Sequence, residues 1–223
     1  MILADVAASG PIDVDHITAI SGNAGLLVLI PLPGGLVRMV ASLRPGEAAA
    51  SVADLQRLLD DRGPLDGPQP GRIAIERLTW SSKFHFRHHL AATFRQGRVL
   101  LAGDAGHVHS PAGGQGMNLG IRDAFFAAET LDAALDAESS GLSPDRFLDA
   151  YAANRRDAAT RVIAETNRLN RILFTPPALR PVRNAVLRVA AHTALPRTMA
   201  LGLSGVLDTG PGIGRAPAPI PSR

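Results

Sequence analysis

Hydrophobic residues in the N-terminal part of the chain come in short runs of strand length, separated by glycine and proline. The run GLLVLIPL is followed by Pro-Gly-Gly and a second run, LVRMVASL, which together predict a β-hairpin. A short amphipathic helix is predicted at residues 51–61, because leucines recur there at helical spacing. Further strands are predicted at residues 2–7, 73–78, 83–87 and 98–102.

The second half of the chain changes to helical spacing. A helix is predicted from Gly116 to about residue 137, and a second helix follows Ser143-Pro144, an N-cap and a first-turn proline, to about residue 174. Two shorter helical pieces are predicted at residues 179–191 and 196–207. The Pro/Gly-rich tail at residues 209–223 is expected to fray.

Composition supports a folded protein and excludes several classes of site. The 223 residues are 46% hydrophobic and 19% charged, which is enough apolar material for a core. The chain has no cysteine, so it holds no disulfide and no thiolate chemistry. No secretory signal and no apolar run of membrane-spanning length is visible, so we expect a cytoplasmic protein with no membrane partner.

Charge is unevenly distributed, although the formal net charge is only +3. From Tyr151 onward there are eleven arginines against three acidic residues. A basic helical tail suits an anionic partner, but aromatic residues are not interleaved with the arginines and no nucleic-acid motif is present. We therefore expect a solvated arginine face and no nucleic acid.

The stretch RVLLAGDAGHVHSPAGGQGMNLGIRDA carries the candidate chemistry. Its opening apolar run at residues 98–102 fits a buried strand of a parallel sheet, and Asp104 then lies at the carboxyl end of that strand, where ligands of such sheets bind. A carboxylate there can accept hydrogen bonds from a polyol. The glycines at 113, 114 and 116 let a flat ligand lie against the backbone, and Asn118 falls in the first turn of a helix whose N–H groups favour negative charge.

The segment GDAGHVHSPAGGQGMNLGIRDA resembles the second flavin-binding motif of the class A FAD-dependent aromatic hydroxylases, the flavoprotein monooxygenases of the para-hydroxybenzoate hydroxylase type. It departs from their pattern at Gly106, where the family usually has alanine. The PLPGG segment is similar to their substrate-domain sheet, and Tyr151, Arg155 and Arg156 resemble their Tyr-x-x-x-Arg-Arg helix.

The resemblance implies FAD as cofactor, NAD(P)H as reductant and O2 as the source of oxygen inserted into an aromatic or polyketide-like small molecule. Asp104 would bind the ribitol, Pro111 would lie beside the flavin and the substrate, and a backbone segment would wrap the pyrimidine edge. The residues of that segment are Gly113, Gly114, Gln115, Gly116, Met117 and Asn118. No residue is assigned as catalytic acid, base or nucleophile.

The resemblance also implies a mixed fold, α+β or α/β. We expect a partial substrate-binding β-sheet domain at residues 1–95, the C-terminal part of a Rossmann-like FAD-binding domain with long helices at 96–208, and a tail at 209–223. The family's G-x-G-x-x-G turn, which holds the ADP half of FAD, is not found; the glycine cluster at residues 210–214 follows no strand.

Two hypotheses follow from that missing turn. The first is a truncated monooxygenase chain, with a separate N-terminal half or a homodimer completing the fold. The alternative is a non-catalytic remnant or interaction half that binds FAD only with a partner. A flavin-dependent reductase or halogenase of similar fold is a weaker third interpretation.

The histidines invite a metal hypothesis that we do not favour. His85, His88 and His89 have helical spacing but lie in a strand-like segment without a carboxylate pattern, so no metal site is expected. His107 and His109 flank the glycine-rich loop and are expected to orient it by hydrogen bonds.

Overall fold

The computed structural model describes residues 1–47, 51–63, 72–85, 87–111, 113–194 and 197–198. The chain divides into two compact units. One unit combines Met1–His85 with Leu173–Arg180, and the other combines Phe86–Ile172 with the chain from Pro181 onward.

The first unit is built on a five-stranded antiparallel sheet with the order β2-β3-β4-β1-β5. The predicted hairpin is confirmed, since β3 and β4 pair antiparallel around the Pro-Gly-Gly turn with Leu32 opposite Leu36. The strands are β1 (Ile2–Ser9), β2 (Thr18–Gly22), β3 (Gly25–Leu32), β4 (Leu36–Ala41) and β5 (Ala74–Lys83).

One face of this sheet is buried against helix α1 (Val52–Arg62). Alternate residues of β1 point into this core, and the leucines on one side of α1 close it; these are Ile2, Ala4 and Val6 of β1 and Leu55, Leu58 and Leu59 of α1. The helix begins with a capping box, in which the Ser51 hydroxyl accepts from the Asp54 amide and the Asp54 carboxylate accepts from the Ser51 amide, both at 3.2 Å.

Strand β5 covers residues 74–83 and pairs with β1 through two register shifts. It includes most of the strand predicted at 73–78, but the strand predicted at 83–87 is wrong beyond Lys83, since residues 84, 85 and 87 are not in a strand. Strand β5 is one of the two edge strands of the sheet, β2 being the other, and it pairs with β1. An edge strand tolerates exposed polar side chains such as Ser81, because only one of its sides needs a partner. Trp80 is 48% exposed on this strand.

The second unit contains two short antiparallel pairs. They are β6 (His89–Leu90) with β9 (His107–Val108), and β7 (Arg95–Gln96) with β8 (Val99–Leu100). The prediction of a buried parallel strand at residues 98–102 is therefore wrong. A tight turn containing Gly97, at a φ of +60°, pairs β8 locally with β7, and Val99 is left 63% exposed.

The predicted helices are confirmed to within a few residues. They are α2 (Gly116–Ser139), α3 (Asp145–Leu173) and α4 (Arg180–Ala190), the last preceded by a 3-10 turn at Pro177–Leu179. The Ser143 hydroxyl accepts from the Asp145 amide at 3.2 Å and so caps the start of α3. The core of this unit forms where α2 and α3 meet, around Phe94, Leu119, Ala158 and Ala159.

The remaining sequence predictions lie at the C-terminus. Most of the helix predicted at residues 196–207, and the tail at 209–223, fall outside the described residues. Among the helices that are described, none combines the length and apolar character that a bilayer crossing requires.

Candidate flavin site

Asp104 lies on a 3-10 turn, Gly103–Ala105, that follows β8. Its side chain is exposed. The turn packs closely against α2, since a Cβ built on Gly120 would lie 3.4 Å from the Gly103 Cα. This contact places the turn one helical turn beyond the start of α2.

The glycine-rich loop leads directly into α2. Gly113 and Gly114 are exposed and have φ values of +90° and +65°, which L side chains rarely adopt. A Cβ on Gly114 would meet nothing within 4 Å, so it is backbone conformation and not crowding that favours glycine there. The Gly114 amide donates to the carbonyl of Pro111 at 2.9 Å, and the ring of Pro111 is exposed.

The N-terminus of α2 is open. Gln115 occupies the N-cap position and is buried, but no side chain makes a cap hydrogen bond and the first turn contains no acidic residue. Met117 is 75% exposed and Asn118 is also exposed. The amides and the positive dipole end of a 24-residue helix are therefore presented without a competing carboxylate in that turn.

The structure thus brings Pro111 and residues 113–118 together around one helix end. Asp104 lies on the turn that packs on the same helix. These are the residues that the sequence selects, and they combine an exposed acceptor with a set of backbone donors.

A buried cluster lies directly beneath the Asp104 turn. The Asp123 carboxylate, which is 0% exposed, accepts from His107 Nε2 at 2.7 Å, from the Gly103 amide at 2.9 Å and from Arg155 Nε at 2.7 Å. His107 comes from β9 and Arg155 from α3, so the carboxylate links three elements. The bond to His107 agrees with the expectation that this histidine orients the loop.

Electrostatics in this cluster favour a charged Asp123. Burial acts to raise the pKa of Asp123, but the hydrogen bonds from His107, Arg155 and the Gly103 amide outweigh it and hold the pKa below its usual value. Nearby, the Tyr151 hydroxyl donates to the Leu101 carbonyl at 2.8 Å. Burial, with a smaller contribution from the Asp123 charge, raises the pKa of Tyr151 to about 12.

Sequence reasoning does not find Asp123 as an organising residue. The available signal is an aspartate inside a helical stretch that is otherwise largely apolar, because a charge at such a position needs partners once it is buried. Arg155 on α3 donates to Asp123 on α2, so it links the two helices. No group of His, Asp or Glu within the described residues is arranged to hold a metal ion.

Comparison with known proteins assigns this part of the chain to a family. Residues 71–166 match the family described as FAD binding domain. Residues 71–166 belong to this family. The matched segment includes the Asp104 turn, the glycine-rich loop, all of α2 and most of α3.

Two curated relatives are monooxygenases. The chain is 36% identical over 155 residues to rifampicin monooxygenase of Streptomyces venezuelae, which covers 69% of this chain and 31% of that protein. It is 33% identical over 193 residues to 6-methylpretetramide 4-monooxygenase of Streptomyces rimosus, covering 86% of this chain and 32% of that protein. The chain thus spans about a third of the length of these relatives.

Two solved structures with the same fold are a hydroxylase and a monooxygenase. OxyS anhydrotetracycline hydroxylase from Streptomyces rimosus superposes with a TM-score of 0.63 at 27% identity, covering 96% of this chain and 42% of OxyS. The p-nitrophenol 4-monooxygenase PnpA from Pseudomonas putida gives 0.64 at 26% identity, covering 91% of this chain and 51% of PnpA. The resemblance to class A flavoprotein hydroxylases and the FAD cofactor of the family are confirmed, and of the two predicted fold classes the antiparallel pairing supports α+β.

Proposed function

We propose that this chain holds the flavin end of FAD in a monooxygenase that hydroxylates an aromatic or polyketide-like small molecule with NAD(P)H and O2. The observation that carries the proposal is the open N-terminus of α2, entered through two glycines of positive φ and flanked by the exposed Asp104. An FAD binding domain match over the same residues supports it.

The residues present fit the chemistry of the cofactor. The pyrimidine edge of a flavin presents oxygen and nitrogen acceptors that gain negative charge on reduction, and uncapped helix amides are donors suited to that charge. The first turn of α2 holds no carboxylate that would repel it. Asp104, as an exposed acceptor, suits the hydroxyl groups of a ribityl chain.

Each predicted residue then has a role. Asp104 accepts hydrogen bonds from the ribityl hydroxyls, and the backbone of residues 113–118 lies along the pyrimidine edge. Pro111 presents a rigid apolar ring beside the flavin and the substrate. When bound, FAD supplies the redox and oxygen-transfer chemistry, while these residues bind, orient and exclude water.

The substrate class is proposed from the relatives. Their names refer to rifampicin, 6-methylpretetramide, anhydrotetracycline and p-nitrophenol, which are aromatic or polyketide compounds. We assign substrate binding to the β-sheet domain at residues 1–95. The face of its sheet opposite α1 carries half-buried apolar side chains, including Leu3, Val28 and Val40, a surface suited to a flat ring system.

An interaction half that binds FAD only with a partner remains the second candidate. Large apolar side chains on α2 favour it, because they are exposed at nearly helical spacing: Met117, Ile121, Phe125, Leu131 and Leu135, each at least 47% exposed. A separate N-terminal half or a second copy of the chain is a partner that would cover them.

Titration with FAD, followed by quenching of flavin fluorescence, tests the proposal. We compare the wild-type chain with Gly116→Ala, Asp104→Asn and the control Asp132→Asn, an exposed position on α2. A Cβ on Gly116 would meet only His109 atoms at 3.7 Å, which is an ordinary contact, so we expect alanine to leave the fold intact. The added methyl group would lie at the start of α2, where the flavin is proposed to bind. Both site variants should weaken binding, and Asp132→Asn should not.

The outcomes separate the two candidates. Saturable binding that the site variants weaken supports the proposed site, and NAD(P)H oxidation assays follow. If the chain alone does not bind FAD, it is not a flavin site by itself, and this result favours the interaction half. Light scattering and co-expression with a chain that carries the G-x-G-x-x-G turn then test whether a partner restores binding. Equal binding by all four proteins would place FAD elsewhere.

A further inference from the structure

Asp123 makes no contact with the proposed ligand surface, yet it joins the elements that build it. The carboxylate is fully buried, and its two oxygens receive donors from β9, from α3 and from the Asp104 turn. All three partners are donors, which a carboxylate can satisfy because it offers acceptor sites only.

The contact with the turn bears directly on Asp104. Gly103 is the first residue of the 3-10 turn, and its amide donates to Asp123 Oδ2 at 2.9 Å. Its φ of +60° and its close approach to Gly120 fix the direction in which the chain leaves β8. The hydrogen bond from the Gly103 amide to the Asp123 carboxylate on α2 therefore sets the position of Asp104. The N-terminus of this same helix forms the proposed flavin site.

We propose that Asp123 is a positioning residue of the FAD site, which ties the Gly103 amide, His107 and Arg155 together and so holds Asp104 in register with the N-terminus of α2. The inference rests on the proposed function, because it concerns the same site. The proposal adds Asp123 to the site as a residue of the flavin motif whose side chain acts on the turn and does not contact the cofactor.

The amide variant isolates this role. Asparagine has nearly the shape of aspartate but replaces one acceptor oxygen with an NH2 donor. Since the three partners are donors, Asp123→Asn must leave at least one of them facing another donor. Asp132→Asn makes the same chemical change on the exposed side of the same helix and serves as the matched control.

The test compares the full chain with Asp123→Asn and Asp132→Asn by two readouts. Amide hydrogen exchange compares the exchange rate of the Gly103 amide with the rates of the α3 amides, which serve as the internal reference for global stability. FAD titration reports the dissociation constant. For Asp123→Asn we expect Gly103 exchange to accelerate about ten- to hundredfold relative to α3, and the FAD dissociation constant to rise by a similar factor, as for loss of a charge-assisted hydrogen bond.

Unchanged relative exchange at Gly103, or unchanged FAD affinity when Gly103 has become labile, overturns the inference. If Asp123→Asn does not fold, the double variant Asp123→Asn/Arg155→Gln removes both buried charges and is measured in the same way with the same expectation. A wild-type chain that binds no FAD overturns the proposed function instead, and the exchange comparison still decides whether Asp123 holds the turn.

Discussion

Two aspartate–arginine pairs, one in each unit, have the same contact distance and different surroundings. Arg38 Nε lies 2.7 Å from Asp5 Oδ1 in the sheet unit, and Arg155 Nε lies 2.7 Å from Asp123 Oδ1 in the helical unit. The Asp5 and Arg38 side chains are 16% and 37% exposed, whereas those of Asp123 and Arg155 are 0% and 5% exposed. The bond length alone therefore does not distinguish them.

Their surroundings give the two pairs different roles. Asp5 and Arg38 face each other across β1 and β4 in a bidentate contact that water can replace. Asp123 and Arg155 lie out of reach of water, and Asp123 also serves His107 and the Gly103 amide. Removing one partner of the buried pair leaves an uncompensated charge inside the protein, which costs far more than losing a surface contact.

The largest expected effect is the loss of the buried carboxylate. Asp123→Ala should lower the free energy of unfolding by about 3–5 kcal/mol, because it strands the Arg155 guanidinium and two other donors. Asp5→Ala should lower it by no more than about 1 kcal/mol. Urea unfolding followed by far-ultraviolet circular dichroism measures both.

The arginine partners provide the reciprocal check. Arg155→Ala should also destabilise strongly, and Arg38→Ala only weakly. If the two aspartate variants lose the same stability, burial is not what separates the pairs, and the organising role of Asp123 fails with it.

A second prediction uses Tyr151, the single tyrosine of the chain, which makes its ionisation visible by absorbance without interference from others. Its pKa is raised to about 12 in the folded protein, against about 10 in an unfolded chain. The folded state therefore disfavours tyrosinate. The stability that this provides is complete below about pH 10 and is lost as the pH rises through about 12, for a total on the order of 3 kcal/mol.

The charge of Asp123 contributes to this shift, whereas Asp5 is not among its causes. Asp123→Asn should lower the pKa of Tyr151 in the folded protein, and Asp5→Asn should leave it unchanged. Tyr151→Phe should remove the alkaline loss of stability attributed to this group. A tyrosine that titrates near pH 10 in the native wild type would contradict the burial of the Tyr151 hydroxyl group.

The same contrast shows what the sequence can predict. Alternation along β1 and β4 and the Pro-Gly-Gly turn specify the hairpin and its buried face, because each depends on residues close in sequence. The ends of α2 and α3 follow equally local signals, such as the serine cap at 143. The glycine-rich loop is also a local pattern, and it identifies the candidate site.

Long-range partners are not encoded in this way. Arg155 meets Asp123 across 32 residues, and no periodicity selects that arginine over its neighbour Arg156, which instead donates to the Ala91 carbonyl at 3.3 Å. The error at residues 98–102 has a similar origin, since an apolar run predicts a strand but not which strand will pair with it. Here the partner is the preceding strand, which a local turn at Gly97 brings alongside β8.

The smallest expected effect concerns the surface pair. Asp5→Asn should cost about 0.2–1 kcal/mol of unfolding free energy, and this cost should decrease as salt is raised to about 1 M, where the Debye length falls to roughly 3 Å. The cost of Asp123→Asn should be almost independent of salt, because solvent ions do not reach a side chain that is 0% exposed. Arg38 also lies over the ring of Trp80 at 6.0 Å, so the fluorescence of this single tryptophan gives a local readout of the pair. Comparing the two asparagine variants over a salt series separates the effect of screening from the effect of burial. If the cost of Asp5→Asn does not change with salt, the partly exposed carboxylate is held as firmly as the buried one. The contrast between the two units would then lie in the partners of the carboxylates and not in their access to solvent.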